Sequence, residues 1–124
     1  GLVHYDIGDA LRSCCNIMGE EVADLTGIRF DLKRCEAFLE GYINKARKFL
    51  TNRDLEFFFD AVRLVPFELG LRFYTDFLEG NVYFKVNRKD QNLDRARVQF
   101  KLVESIEQQE SGIRKLIAEL GSLF

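Results

Sequence analysis

Three side chains in one stretch of this sequence could do chemistry together: Glu68, Arg72 and Asp76. They recur every fourth residue, so on an α-helix they form one charged line. Apolar residues occupy nearly every side of that helix, and charges on a buried helix are costly unless they are paired or face a cavity. The line therefore suits either a structural ladder, with Arg72 as an ion-pair rung between Glu68 and Asp76, or one wall of a binding site.

Other chemistry is thinly supplied. His4 is the only histidine, with no nucleophile pattern around it. There is no Gly-rich phosphate loop and no Glu-x-x-His pair of the kind that builds a carboxylate-bridged metal bundle. Cys14, Cys15 and Cys35 are an odd set with two adjacent members, a poor disulfide framework and a poor metal-ligand spacing. A reduced, cytoplasmic setting is expected. A net charge of −2 with no basic block argues against a nucleic-acid or membrane-surface partner. No apolar run is long enough to span a bilayer.

The elements that must position these residues read as helices. The 124 residues suit one domain, all-α, with four to five helices. Asp6, followed by Asp9, reads as an N-cap with an acidic first turn, opening a helix that runs to about Cys15. Residues 20 to 30 read mostly as loop. Asp31 caps a second helix with apolar residues at three-to-four spacing from Leu32 to Leu50. Thr51 with Asp54 signals a new start. A central helical region then runs from about Asn52 to Glu79, with a kink expected near 61–65 from Pro66 and a stop at Gly80. It carries two apolar rows, one through Phe58, Val62, Val65, Leu69, Phe73 and Phe77, the other through Leu64, Phe67, Leu71, Tyr74 and Leu78. Two rows predict burial on two sides. Asn92 reads as the cap of one last long helix, weakest at Gly112.

A resemblance adds to this reading. Gly1-Leu-Val-His-Tyr-Asp6-Ile-Gly-Asp9-Ala-Leu-Arg12 is similar to the segment after the metal-binding acidic motif of aminoglycoside phosphotransferase and choline kinase-like enzymes. Phe67 to Phe84 resembles a segment of the N-acetylhexosamine kinase branch, and Asn92-Leu-Asp-Arg-Ala-Arg97 resembles that branch's final helix start. The matches follow one another in order along the whole chain. They imply the helical C-terminal part of a protein-kinase-like fold, within a longer polypeptide. In that branch an arginine and a tyrosine eleven residues later contact the sugar, which implies Arg72 and Tyr83 here. Arginine would bring a rigid fork of donors to hydroxyl, acetamido or carboxylate oxygens, and tyrosine a ring face to a pyranose. By itself Tyr83 equally suits the role of a core aromatic. Glu68 and Asp76 would support them. Asp6 resembles an aspartate that braces the catalytic loop, whereas by itself it reads as a simple helix cap.

The resemblance puts the nucleotide lobe, the catalytic aspartate and the magnesium-binding aspartate ahead of Gly1. The chain alone is therefore expected to be inactive, with no catalytic, metal or cofactor residues of its own. Mg²⁺, ATP and a sugar acceptor are implied for the full-length parent. Self-association is expected through an apolar patch near Leu2, Val3, Tyr5 and Ile7. The alternative function is a non-catalytic helical domain that binds a protein partner through a Phe-rich face.

Overall fold

The computed structural model describes residues 2–16, 25–46 and 48–122. Among them the chain is all-helical, with six helices and no strand. The helices are α1 Leu2–Cys14, α2 Leu32–Ala46, α3 Asn52–Glu56, α4 Phe58–Leu78, α5 Gln91–Gln108 and α6 Glu110–Gly121. A 3₁₀ turn covers Leu25–Gly27. The rest of the expected 20–30 loop falls partly on 17–24, outside the described residues.

Local chemistry explains most boundaries. Asp31 caps α2, its Oδ1 accepting from the N–H groups of Lys33 at 2.9 Å and Arg34 at 3.1 Å. Thr51 and Asp54 form a reciprocal capping box at α3. Gly80 (φ 90°) and Asn81 (φ 62°) end α4 in the left-handed region. Asn81 N–H bonds to Asp76 C=O at 2.7 Å and Gly80 N–H to Phe77 C=O at 3.2 Å, the paired bonds of a Schellman motif.

Four expectations need correction. Asp6 lies in the second turn of α1, because the helix already begins at Leu2, and its side chain is exposed and makes no hydrogen bond or ion pair among the described residues. It caps nothing. The central region breaks at Phe57, where the capped turn of α3 ends, and α4 continues through Pro66 without interruption. Val62, Val65 and Pro66 are all buried, so packing holds the turn that lacks a proline donor. The last helix is two, divided at Gln109 and not at Gly112. Gln109 turns its side chain back onto Phe30 C=O at 2.8 Å and Ser105 Oγ at 3.2 Å. Asn92 is not a cap, since α5 starts one residue earlier and Asn92 is fully buried.

α4 is the spine. α5 lies along one side, where Gly70 lets the Phe100 ring approach, and α1 along another, where Gly8 meets Ala61 and Val65. Ile7 and Leu11 of α1, Leu39 of α2, Phe58 and Phe59 of α4, Leu102 and Ile106 of α5 and Ile113 of α6 share one core. Ile7 therefore has no uncovered face, against expectation; the side chains of Leu2, Val3 and Tyr5 lie outside the described ones. The two rows of α4 have different fates. Phe58, Val62, Val65 and Phe73 are buried, whereas Leu64, Phe67, Leu71, Tyr74 and Leu78 stand in solvent. The central helix thus has its contact on two sides, with α1 and α5, but the second apolar row is not what makes it. No helix among the described residues is long and apolar enough to cross a membrane.

Candidate functional site

The charged line on α4 does not form a ladder. Asp76 is turned into the protein and is only 4% exposed. Its Oδ1 accepts from Tyr83 N–H at 2.7 Å, and its Oδ2 from Phe84 N–H and the Asn92 amide, both at 2.9 Å. Burial acts to raise its pKa, but the N–H groups of Phe84, Tyr83 and Val82 and the Asn92 amide outweigh it and hold the carboxyl below the ordinary carboxylate range. Asp76 therefore fastens the segment after α4 to the helix itself. Asn92 extends the clamp, also donating to Asn81 Oδ1 at 3.1 Å and accepting from Arg95 at 2.9 Å.

This clamp brings Tyr83 back beside Arg72. The Arg72 guanidinium carbon lies 5.7 Å from the Tyr83 ring centre and 5.8 Å from that of Phe84. Both are cation–π distances. Among the described residues Arg72 makes no ion pair with Glu68 or Asp76, and it lines the open cleft. Tyr83 is 74% exposed, which removes the core-aromatic reading. Phe84 fills that role, packing on Phe73 with ring centres 4.6 Å apart.

The cleft between helix and strap has a volume of about 380 Å³ and is walled by Glu68, Leu71, Arg72, Thr75, Glu79, Tyr83 and Phe84. A smaller recess of about 110 Å³ adjoins it on the far side of Glu68 and Arg72, bounded by Asp9 and Arg12 of α1. Arg12 is buried, and its Nε and Nη2 donate to one oxygen of Asp9 at 3.1 and 2.9 Å. Of the sequence-expected residues, Glu68, Arg72, Asp76 and Tyr83 meet at this cleft; Asp6 does not. The aromatic Phe84 and the clamp residue Asn92 were not expected here. Asn92 at a helix start reads as a cap, and nothing in its neighbours signals a buried amide. A larger cavity of about 480 Å³ lies elsewhere, between α3 and α6. Its cation Arg114 is engaged with Glu110 at 2.7 Å and the Phe59 ring, which leaves it fewer free donors than Arg72.

His4 joins α1 to α3, with Nε2 3.1 Å from Asp54 C=O. Cys15 and Cys35 are fully buried free thiols and Cys14 is an exposed one. A hydrogen bond with Cys35, then burial, push the Cys15 thiol far up, so it stays protonated. Among the described residues no group of three or more His, Cys, Asp or Glu is placed to hold a metal ion, and no step through magnesium is assigned to this chain. No protein-family model matches the sequence.

Proposed function

We propose that this chain is the acceptor-side wall of an ATP-dependent sugar phosphotransferase of the N-acetylhexosamine kinase type. In the assembled enzyme the γ-phosphoryl of ATP, with Mg²⁺, would pass to a sugar hydroxyl, the anomeric one of an N-acetylhexosamine. The observation that carries this reading is the meeting of Arg72 and Tyr83 across one cleft, with the guanidinium donors unpaired among the described residues. A forked donor, a nearby ring face and two carboxylates, Glu68 and Glu79, are the groups a hydroxylated and acetamidated ring needs. Asp76 supports the site through the backbone of Tyr83 and Phe84, and not through Arg72.

The test is a titration of the ¹⁵N-labelled chain with N-acetylglucosamine and N-acetylgalactosamine, followed by amide NMR. Shifts should concentrate at Arg72, Thr75, Tyr83 and Phe84 and vanish in Arg72→Ala. Absence of shifts there at high millimolar sugar, or shifts indifferent to Arg72→Ala, would remove the reading. The second reading, a non-catalytic domain that binds a protein partner, is supported by the exposed row on α4 that contains Phe67.

A further inference from the structure

The uncovered row on α4 has a regular form. Leu64, Phe67, Leu71, Tyr74 and Leu78 follow at steps of three and four, the spacing of a helix seam that packs against another helix. All five are between 42% and 66% exposed. Together they form one apolar stripe along a single face of the helix.

The edge of the seam bears opposite charges one helical turn apart. Glu68 and Arg72 lie on the same flank, both exposed, and neither makes an ion pair among the described residues. When two copies of one helix pack antiparallel about a two-fold axis, like flanks face each other with their order reversed. Glu68 of one copy then meets Arg72 of the other, twice. A parallel pairing would instead ask Arg63 to meet Glu68. Arg63 is unsuited to that, because it lies beside Asp60 at 4.0 Å and its Nε is buried.

We infer that the Leu64–Leu78 face of α4 is a homodimer seam, in which two copies pair antiparallel near Leu71 and exchange Glu68–Arg72 contacts. The inference does not depend on the sugar reading. It does use the same Leu71, Glu68 and Arg72 that wall the cleft, so pairing would cover that cleft.

Sedimentation equilibrium of the 124-residue chain over about 1 to 100 μM tests it. A reversible dimer is expected. Leu71→Glu should weaken it by at least ~10-fold, and the exposed position should leave helix content and melting temperature nearly unchanged. Glu68→Arg alone should weaken it by roughly 3- to 10-fold, and Glu68→Arg with Arg72→Glu should restore it. A monomer at the highest concentration would overturn the proposal and give the face to another occupant. So would a dimer indifferent to Leu71→Glu, or a double reversal as weak as the single one.

Discussion

Asp76 does more for this site than its position in a charged line suggests. One carboxylate holds two successive backbone N–H groups and a side-chain amide. Asp76→Ala leaves these donors without a partner, and Asp76→Asn offers them a single uncharged acceptor. We expect Asp76→Ala to lower Tm by roughly 5–10 °C and to speed amide exchange at Tyr83 and Phe84. The pH dependence follows from the depressed pKa. A carboxyl whose folded pKa lies below its unfolded value stabilises fully above the unfolded pKa, about 4, and loses that effect as pH falls through the folded value. Asp54, held low first by the Thr51 backbone N–H, acts in the same direction. Urea unfolding should therefore show a plateau above about pH 5 and a falling limb below pH 4, with a shallower limb in Asp76→Asn. Arg72 belongs to the opposite class. Exposed, with ring contacts to Tyr83 and Phe84 but no ion pair among the described residues, it should change Tm by less than about 2 °C on mutation to Ala. In the full-length parent, the same change should lower kcat/KM for the acceptor by roughly 10- to 1000-fold with little effect on the ATP KM, and Arg72→Lys should also be impaired. A lower Tm with unaltered kinetics would return Arg72 to a purely structural role.

Helix packing sets the next level, and two glycines on helices make a matched test. A Cβ at Gly8 would come within 2.6 Å of Ala61 C=O and 2.8 Å of Val65 Cγ2. Backbone cannot step aside as a side chain does, so Gly8→Ala should cost about 1–3 kcal/mol despite its better helix propensity. A Cβ at Gly41 meets nothing within 4 Å. Gly41→Ala in α2 should stabilise by about 0.5–1 kcal/mol. Denaturant midpoints of the two variants should move in opposite directions. The type of every helix was legible in the sequence, because periodicity and caps such as Asp31 and Thr51–Asp54 are local signals. The breaks were less so. Gln109 ends α5 by bonding to Phe30, seventy-nine residues away in sequence, and no local pattern carries that information. Asn92 misled for the same reason, since its partners Asp76 and Asn81 are distant in sequence and close only in the fold.

At the scale of the molecule, one core holds members of all six helices, and one conspicuous misfit lies in the interior. Gln99 is fully buried, and neither its Oε1 nor its Nε2 has a partner among the described residues. A buried amide without hydrogen bonds is destabilising, so Gln99→Met, close in volume, should raise stability by about 1 kcal/mol in equilibrium unfolding. The candidate site was partly legible at this scale. The resemblance implied the Arg72–Tyr83 pair, and in the fold the two side chains lie side by side at one cleft. The sequence could not tell which of the three helix charges would turn inward. That depends on where α5 lies, and on Asn92 and the returning strap meeting Asp76 and not Glu68. Nor could it tell which apolar row would be covered, because rows of similar composition differ only in what packs against them.

The double tether at Asp76 also bears on the thermodynamics of any ligand that enters the cleft. A loop that must be immobilised on binding charges each ligand its conformational entropy. Here the strap through Tyr83 and Phe84 is already fixed when the chain folds, so a ligand meets a preorganised wall. Calorimetric titration should then show little entropic penalty from loop ordering, and Asp76→Ala should shift binding toward a larger opposing entropy while Arg72 stays in place.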